Sequence, residues 1–375
     1  MRIAVPRETW PGELRAALVP SSVKKLVGLG FDVMVETGLG AASGFPDRDY
    51  EAAGADVVKD IASALVSSEV VLRVRRPAEA DLEFLAEDTL HISFLDPFNE
   101  KPLIGKLAAR GVTAVSMEMI PRTTRAQKMD ALSSQASLAG YVTVVLAASH
   151  TPKVFPMMMT PAGTIAPARV FVIGAGVAGL QAVATAKRLG ARVEAFDTRP
   201  AVAEQVQSLG ARFVEIDIGE IGQTEQGYAR ELTAEQIEMQ RQGMKRVIGY
   251  SDVVITTAQV FGRPAPRIVT RDMVEAMRPG SVVVDMAVES GGNVEGSVLD
   301  EVVDIDGVKL VGLGNLPSEV AQNASEMFSS NVTHFIDEFY DAEDGRFDLD
   351  PADEIIAGCV LTRGGEVVSD TARAG

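Results

Sequence analysis

The chain of 375 residues contains a single cysteine, Cys359, so no disulfide can close within it. Basic residues are scarce. Thirty-five Lys and Arg against 52 Asp and Glu leave a formal net charge of -17. That balance suits neither the phosphate backbone of nucleic acid nor an anionic lipid surface, and neither is expected as a partner. The N-terminus, MRIAVPRETW, lacks the apolar core of a secretory signal. No uninterrupted apolar run approaches the ~20 residues that cross a bilayer. The longest candidate, Leu138–Ala148, carries Gly140, Tyr141 and Thr143 and reads as a packed helix. No membrane insertion is expected, and the chain alone reads as soluble. Internal repeats and low-complexity segments are also lacking.

The length suits two domains, and a hydrophobic content of 46% supplies their cores. Over the first 120 residues, strands are expected at Arg2–Val5, Asp32–Glu36, Val70–Val74, His91–Leu95 and Thr113–Met117. Helices are expected at Ser21–Leu29, Ile61–Val66 and Pro102–Ala109. Such β-α alternation predicts a parallel sheet covered by helices. A long helix over Lys128–Ser149 leads into a second alternation. Its strands are expected at Val170–Ile173, Arg192–Phe196, Arg212–Val214, Val253–Thr256, Val282–Asp285 and Lys309–Val311. Pro317–Tyr340 again reads as helix. Cys359–Ser369 reads as a hairpin turning at Gly364-Gly365. The fold class is therefore α/β: two doubly wound, Rossmann-like parallel-sheet domains joined by long helices, with a cleft between them. The simplest geometry has both long helices cross between domains and the tail return to the first. Residues 1–127 with 325–375 form one domain, and 128–324 the other.

Arg169–Asp197 reads RVFVIGAGVAGLQAVATAKRLGARVEAFD. Gly174, Gly176 and Gly179 follow a strand and open an Ala-rich helix, and the next strand ends in Asp197. This is the pattern of a dinucleotide-binding unit. The first Gly permits the tight turn, the second admits the pyrophosphate, and the third lets helix pack on strand. The helix N-terminus offers its N–H groups to the phosphates. A carboxylate at Asp197 favours the ribose hydroxyls of NAD and opposes the 2′-phosphate of NADP. Arg199, two residues on, would favour a phosphate. The strand-end carboxylate takes precedence.

A second group lies in EMIPRTTRAQKMDALSSQ, residues 118–135, which presents Arg122, Gln127, Asp130 and Ser133. Asp130 and Ser133, three apart, are expected to share a helix face. By themselves these are a first-turn acid at a helix N-terminus and a solvent-facing serine.

The chain resembles the NAD(H)-binding component of proton-translocating nicotinamide nucleotide transhydrogenases, and it is similar to alanine dehydrogenases. The resemblance runs through PRETWPGELRAALVP, RAQKMDALSSQASLAGY, FPMMMTPAGTIAPARVFVIGAGVAGLQAVATAKRLGA, VVVDMAVESGGN and GCVLTRGGEVV. Its most specific part is Arg125–Tyr141. It implies that Arg122, Gln127, Asp130 and Ser133 are the catalytic group that holds the nicotinamide end of NAD(H). The implied nucleotide set is Gly174, Gly176, Val177, Ala178, Gly179, Asp197, Thr198, Arg199, Ala258 and Glu289. Tyr228 joins it, within Gly227-Tyr228-Ala229, as part of a mobile loop in the polar segment Gly219–Gln242. No metal site is expected.

The two resembled enzymes differ in what their chemistry needs. Reduction of an oxo acid needs a proton donor as well as a hydride. Alanine dehydrogenases supply a Lys and a His, and those positions here are Arg75, in LRVRRP, and Asp96, in HISFLDPF. Arg does not donate protons near neutral pH. His91 is offset from Asp96 by an odd number of residues, which turns it to the opposite face of a strand. Glu289 stands where alanine dehydrogenases have Asp. Arg75 reads as a structural ion-pair residue, and Arg15 is left open. Hydride transfer between two nicotinamides needs no proton, only alignment and exclusion of water.

The resemblance implies a homodimer and an NADP(H)-binding beta subunit. It also implies a transmembrane subunit that moves protons. With one nucleotide fingerprint and no span, the chain is expected to be a separate cytoplasmic subunit. It would sit peripherally at the inner membrane face through those partners. The alternative is an alanine dehydrogenase-like NAD-dependent oxidoreductase.

Overall fold

A computed structural model of the chain describes residues 1–217, 233–260 and 262–373. It divides into two compact units, Met1–Ala136 with Pro317–Gly375, and Ser137–Leu316. Each unit is built on one large sheet.

In the first unit eight strands lie in the order Glu366–Val367, Val360–Arg363, Thr113–Ser116, Leu90–Ser93, Val70–Leu72, Arg2–Val5, Asp32–Glu36, Asp56–Val58. The six strands from the first 120 residues are mutually parallel, and the tail hairpin adds antiparallel. Val70–Leu72 and Leu90–Ser93 are buried at every position, as central strands of a sheet covered on both faces must be. One face packs on Ala321–Phe339, whose Phe328, Val332, Phe335 and Ile336 recur at helical spacing. The tail turns where expected: Gly364 and Gly365 both have positive φ, 56° and 83°, which a two-residue I′ turn requires.

In the second unit seven strands lie in the order Arg212–Phe213, Arg192–Phe196, Arg169–Ile173, Val253–Thr256, Val282–Asp285, Val308–Gly312, Glu301–Ile305. All are parallel except Glu301–Ile305. Taking each unit's parallel strands in chain order, both sheets run 3-2-1-4-5-6. The chain reverses direction across the sheet between strands 1 and 4, and ligands bind at such reversal points in open α/β sheets.

Three elements escape the sequence reading. Asp47–Ala52 is a short, acid-rich helix. Asp56–Val58 and Glu301–Ile305 are edge strands, half exposed and lacking a continuous apolar run. The long helix starts later than Lys128. Residues Gln127–Met129 form a 3-10 turn and the α-helix spans Ala131–His150. This helix is long and apolar enough, by length and composition, to cross a membrane. Its Gly140 lies so close to the next helix that an added Cβ would sit 2.1 Å from the Ala178 carbonyl oxygen. The unit boundary falls inside Ala131–His150, whereas Ala321–Phe339 lies wholly within the first unit.

Candidate functional site

The glycine turn sits at the reversal point of the second sheet. Gly174 leaves strand 1 with φ of 97°, a conformation L side chains avoid. An added Cβ there would meet Thr257 Oγ1 at 2.7 Å, at the end of strand 4. Gly179 is required for packing, because a Cβ on it would lie 1.9 Å from the Gly174 carbonyl oxygen. Gly176 differs. Its φ is ordinary, -78°, and an added Cβ would meet nothing within 4 Å. The second glycine therefore faces open space at the start of helix Val177–Arg188. That helix has no side-chain N-cap, so the Val177, Ala178 and Gly179 amides lack the acceptor that a cap supplies. An uncapped N-terminus beside free room is what a dinucleotide pyrophosphate needs, and these residues fit that group.

The neighbouring loop is held by Asn293, which sequence reasoning missed. Its Nδ2 donates to the Ala258 carbonyl at 2.8 Å and to the Pro266 carbonyl at 2.8 Å. Its Oδ1 accepts from Ala258 N at 3.1 Å. Asn293 is fully buried and is placed by Asp285, whose Oδ1 accepts its backbone N–H at 3.1 Å. The signal lay in VVVDMAVESGGN, where the buried Asp and Asn pin the strand-4 loop from the end of strand 5. Glu289 is exposed and accepts from Asn315 N at 3.1 Å.

Asp197 ends strand 2 with its carboxylate already engaged. Oδ2 accepts from Ala175 N at 2.7 Å and from Arg199 Nη2 at 2.9 Å. Oδ1 accepts from Arg199 N and Nε, both at 2.9 Å. Burial opposes ionisation, but the Arg199 guanidinium and the Ala175 amide outweigh it and hold the carboxyl below its ordinary range. Asp197 thus braces the glycine turn while Arg199 lies over it. Ribose hydroxyls would have to displace this exposed Arg199. Thr198 is exposed beside them. Tyr228 lies outside the described residues, as do Gly227 and Ala229. The chain is next described from Thr233, which caps helix Ala234–Tyr250.

The second group lies in the first unit. Arg122 and Gln127 are exposed and make no side-chain hydrogen bond or ion pair among the described residues. Asp130 is not inside the helix but caps it. Its Oδ1 accepts from Ser133 N at 2.8 Å, and its Oδ2 accepts from Ser133 Oγ at 2.6 Å. The structure therefore brings Asp130 and Ser133 together and leaves Arg122 and Gln127 free. Ala126 and Met129 anchor the loop in the core. Asn331 Nδ2 donates to the Lys128 carbonyl at 2.8 Å, and Arg125 pairs with Asp353 and Glu338. Asn331 and Arg125 are positioning residues whose partners are far off in sequence.

At the strand ends of the first sheet the side chains are charged. Glu8 accepts from Val74 N at 2.6 Å. Burial pushes its pKa up to about 7, against the pull of Arg73. Glu13 takes the Arg15 guanidinium through Nε at 2.7 Å and Nη2 at 2.6 Å, and Arg75 Nε at 2.9 Å. Burial opposes its charge, but Arg15 and Arg75 prevail and bring its pKa down to about 2. Arg15 Nη1 donates to Gln135 at 2.8 Å. Arg15 and Arg75 are thus both ion-pair residues here. Asp96 has a positive φ, 51°, and its amide donates to buried Glu118 at 2.6 Å. His91 is fully buried, its Nε2 3.0 Å from Ser93 Oγ. Burial, then the Arg73 charge, push its pKa down to about 3, so it is neutral. It serves the sheet, not a substrate.

Residues 4–139 match the family Alanine dehydrogenase/PNT, N-terminal domain, and residues 143–370 match Alanine dehydrogenase/PNT, C-terminal domain. The chain is 44% identical over 375 residues to an NAD(P) transhydrogenase alpha subunit of Rhodospirillum rubrum, covering 98% of each. It is 31% identical over 345 residues to an alanine dehydrogenase of Halomonas elongata, covering 90% of this chain and 86% of that one. Among solved structures, transhydrogenase from Sinorhizobium meliloti superposes with a TM-score of 0.86 at 42% identity, covering 99% of both chains. An L-alanine dehydrogenase superposes with a TM-score of 0.83 at 27% identity, covering 99% of this chain and 98% of that one.

Proposed function

This chain belongs to the alanine dehydrogenase/PNT family, and from that premise we propose that it is the NAD(H)-binding subunit of a proton-translocating NAD(P) transhydrogenase. One observation carries the choice between the two activities of the family. The positions that would supply a proton donor hold Arg75 and Asp96, and the nearest histidine, His91, is buried and neutral. A pocket without that donor suits transfer between two nicotinamides, which moves no proton at the reacting carbons.

In this reading bound NAD(H) supplies or takes the hydride. The Gly174–Gly179 turn and the Val177 and Ala178 amides hold the pyrophosphate. Asp197, with Thr198 and Arg199, takes the adenosine ribose, and Tyr228, Ala258 and Glu289 complete the nucleotide set. Arg122, Gln127, Asp130 and Ser133 hold the nicotinamide end. Asp130 and Ser133 form a fixed pair, and exposed Arg122 and Gln127 are free to reach a ligand. NADP(H) is bound by a partner beta subunit, and protons pass through a transmembrane partner. The chain is then a cytoplasmic subunit peripheral to the membrane.

A homodimer is part of the proposal. The hairpin Met158–Thr160 with Gly163–Ile165 pairs only with itself among the described strands, and all six residues are exposed. Met159 is 77% exposed. An isolated two-stranded hairpin of this kind is marginal in water and gains from cover by a second copy. A monomeric mass by light scattering would remove this part of the proposal.

The test of the activity mixes the chain with the NADP(H)-binding component of a transhydrogenase. Hydride transfer from NADH to an NAD⁺ analogue is then followed. Transfer should require both NADP(H) and the added component. Ammonia-dependent reduction of pyruvate by the chain alone, with no such transfer, would instead favour the dehydrogenase.

A further inference from the structure

The second unit carries a groove of about 430 Å³ at the end of its sheet opposite the glycine turn. It is lined by Arg169, Lys187, Arg192, Glu194, Arg212 and Tyr250. In a chain of net charge -17 this is a local reversal: four cations face one carboxylate.

The strand register makes the reversal costly. Arg169 and Arg192 are direct neighbours on adjacent parallel strands. Neighbouring strands lie about 4.8 Å apart, so the two side chains leave the same face side by side. Like charges on one rung destabilise a sheet. On the next rung of that face, Glu194 pairs with Arg212. Its carboxylate accepts from Arg212 Nη1 at 3.3 Å and from Tyr250 Oη at 2.7 Å. Glu194 is thus held by Arg212 and Tyr250. Arg169 lies over the Tyr250 ring, 5.4 Å from its centroid. Arg169, Arg192 and Lys187 have no acidic partner among the described residues.

We propose that this groove is a second anion site, taking a small soluble phosphate of multiple charge, such as pyrophosphate or a phosphate ester. The anion lies across the Arg169–Arg192 rung, with Lys187 as the third cation. Two guanidinium forks side by side match the paired oxygens of a phosphate and relieve their mutual repulsion. The site is separate from the nucleotide turn, which lies at the carboxyl ends of the same strands. It does not depend on the proposed activity.

The experiment titrates the whole chain, saturated with NADH, with inorganic pyrophosphate by calorimetry. Saturation blocks the nucleotide turn as a competing phosphate site. The wild type should give a saturable heat that shrinks as salt is raised. Arg169→Ala and Arg192→Ala should each weaken binding roughly tenfold or more, since each removes a charged hydrogen-bond donor. Arg212→Ala should weaken it less, because Glu194 already occupies Arg212. NADH affinity should be unchanged in all three. No saturable heat at millimolar pyrophosphate would overturn the site, and so would a double variant, R169A with R192A, that binds as the wild type does. Sedimentation with phosphatidylcholine vesicles, with and without phosphatidic acid, separates the sources. Protein left in the supernatant supports a soluble phosphate. Pelleting that Arg192→Ala abolishes would overturn that assignment in favour of a lipid headgroup.

Discussion

The two sheets share one strand order but treat the same place in opposite ways. In the second unit the point between strands 1 and 4 is lined by Gly174, Thr257 and Ala258, and Gly176 opens beside it onto empty space. In the first unit the same point is shut. Glu8, just past strand 1, accepts from Val74 N just past strand 4, and Glu13, Arg15, Arg73 and Arg75 crowd around it. Topology offers a crevice in both places. Side-chain volume and charge decide which crevice is available to a phosphate and which is filled by the protein's own ions.

The largest effect expected from breaking this contrast is at Glu13. Its partner Arg15 is only 3% exposed in its side chain. Glu13→Ala would leave that guanidinium buried without a counter-charge, at a cost of about 3–5 kcal/mol. Urea unfolding should show the loss. A change below ~1 kcal/mol would mean that water reaches Arg15 and that the first crevice is not sealed.

The glycines of the second crevice sharpen the contrast from the other side. Gly179→Ala puts a methyl 1.9 Å from the Gly174 carbonyl oxygen. Helix and turn must part, costing about 1–3 kcal/mol and the alignment of the amides with it. Gly176→Ala meets nothing in the protein, so stability should shift by no more than ~0.5 kcal/mol. NADH affinity should nevertheless fall roughly tenfold, equivalent to ~1.4 kcal/mol, because the methyl fills the room left for the ligand. Paired thermal melts and NADH titrations separate the two. Equal affinity in Gly176→Ala and wild type would show that no ligand passes there.

These contrasts were unevenly legible in the sequence. The buried strands were plain, because VVIT and VVVD are apolar without interruption. The glycine turn was plain too, since each glycine answers a local constraint of backbone or contact. The bracing residues were not. Asn293 reaches Ala258, Asn331 reaches Lys128, and Glu13 gathers Arg15 and Arg75; each pairing depends on which strand ends the fold brings together. The Asp130–Ser133 contact was readable as a spacing of three, but its role as a helix cap needed the 3-10 turn before it. Arg199 folding back on Asp197 was foreseeable only as a rival preference for phosphate, not as an ion pair.

The smallest expected effect is the most selective one. Glu8 closes the first crevice, and the second has no ionisable group at the matching point. Burial raises its pKa from the ordinary 4.5 to about 7. A carboxyl raised on folding contributes stability that is full below pH 4.5 and is lost as pH rises through about 7. Glu8→Gln keeps a neutral group of the same shape and should remove that loss. The variant should therefore gain on the wild type between pH 5 and pH 8, in melts run at constant ionic strength. The other shifted groups beside Glu8 act elsewhere. Glu13, lowered to about 2, loses its contribution only as pH falls below 4.5. His91, lowered to about 3, loses its own as pH falls below 6.5. Above pH 6.5 a slope that Glu8→Gln abolishes belongs to Glu8. Parallel profiles for the two proteins over that range would mean that Glu8 sheds its proton without cost and that Arg73 alone balances it.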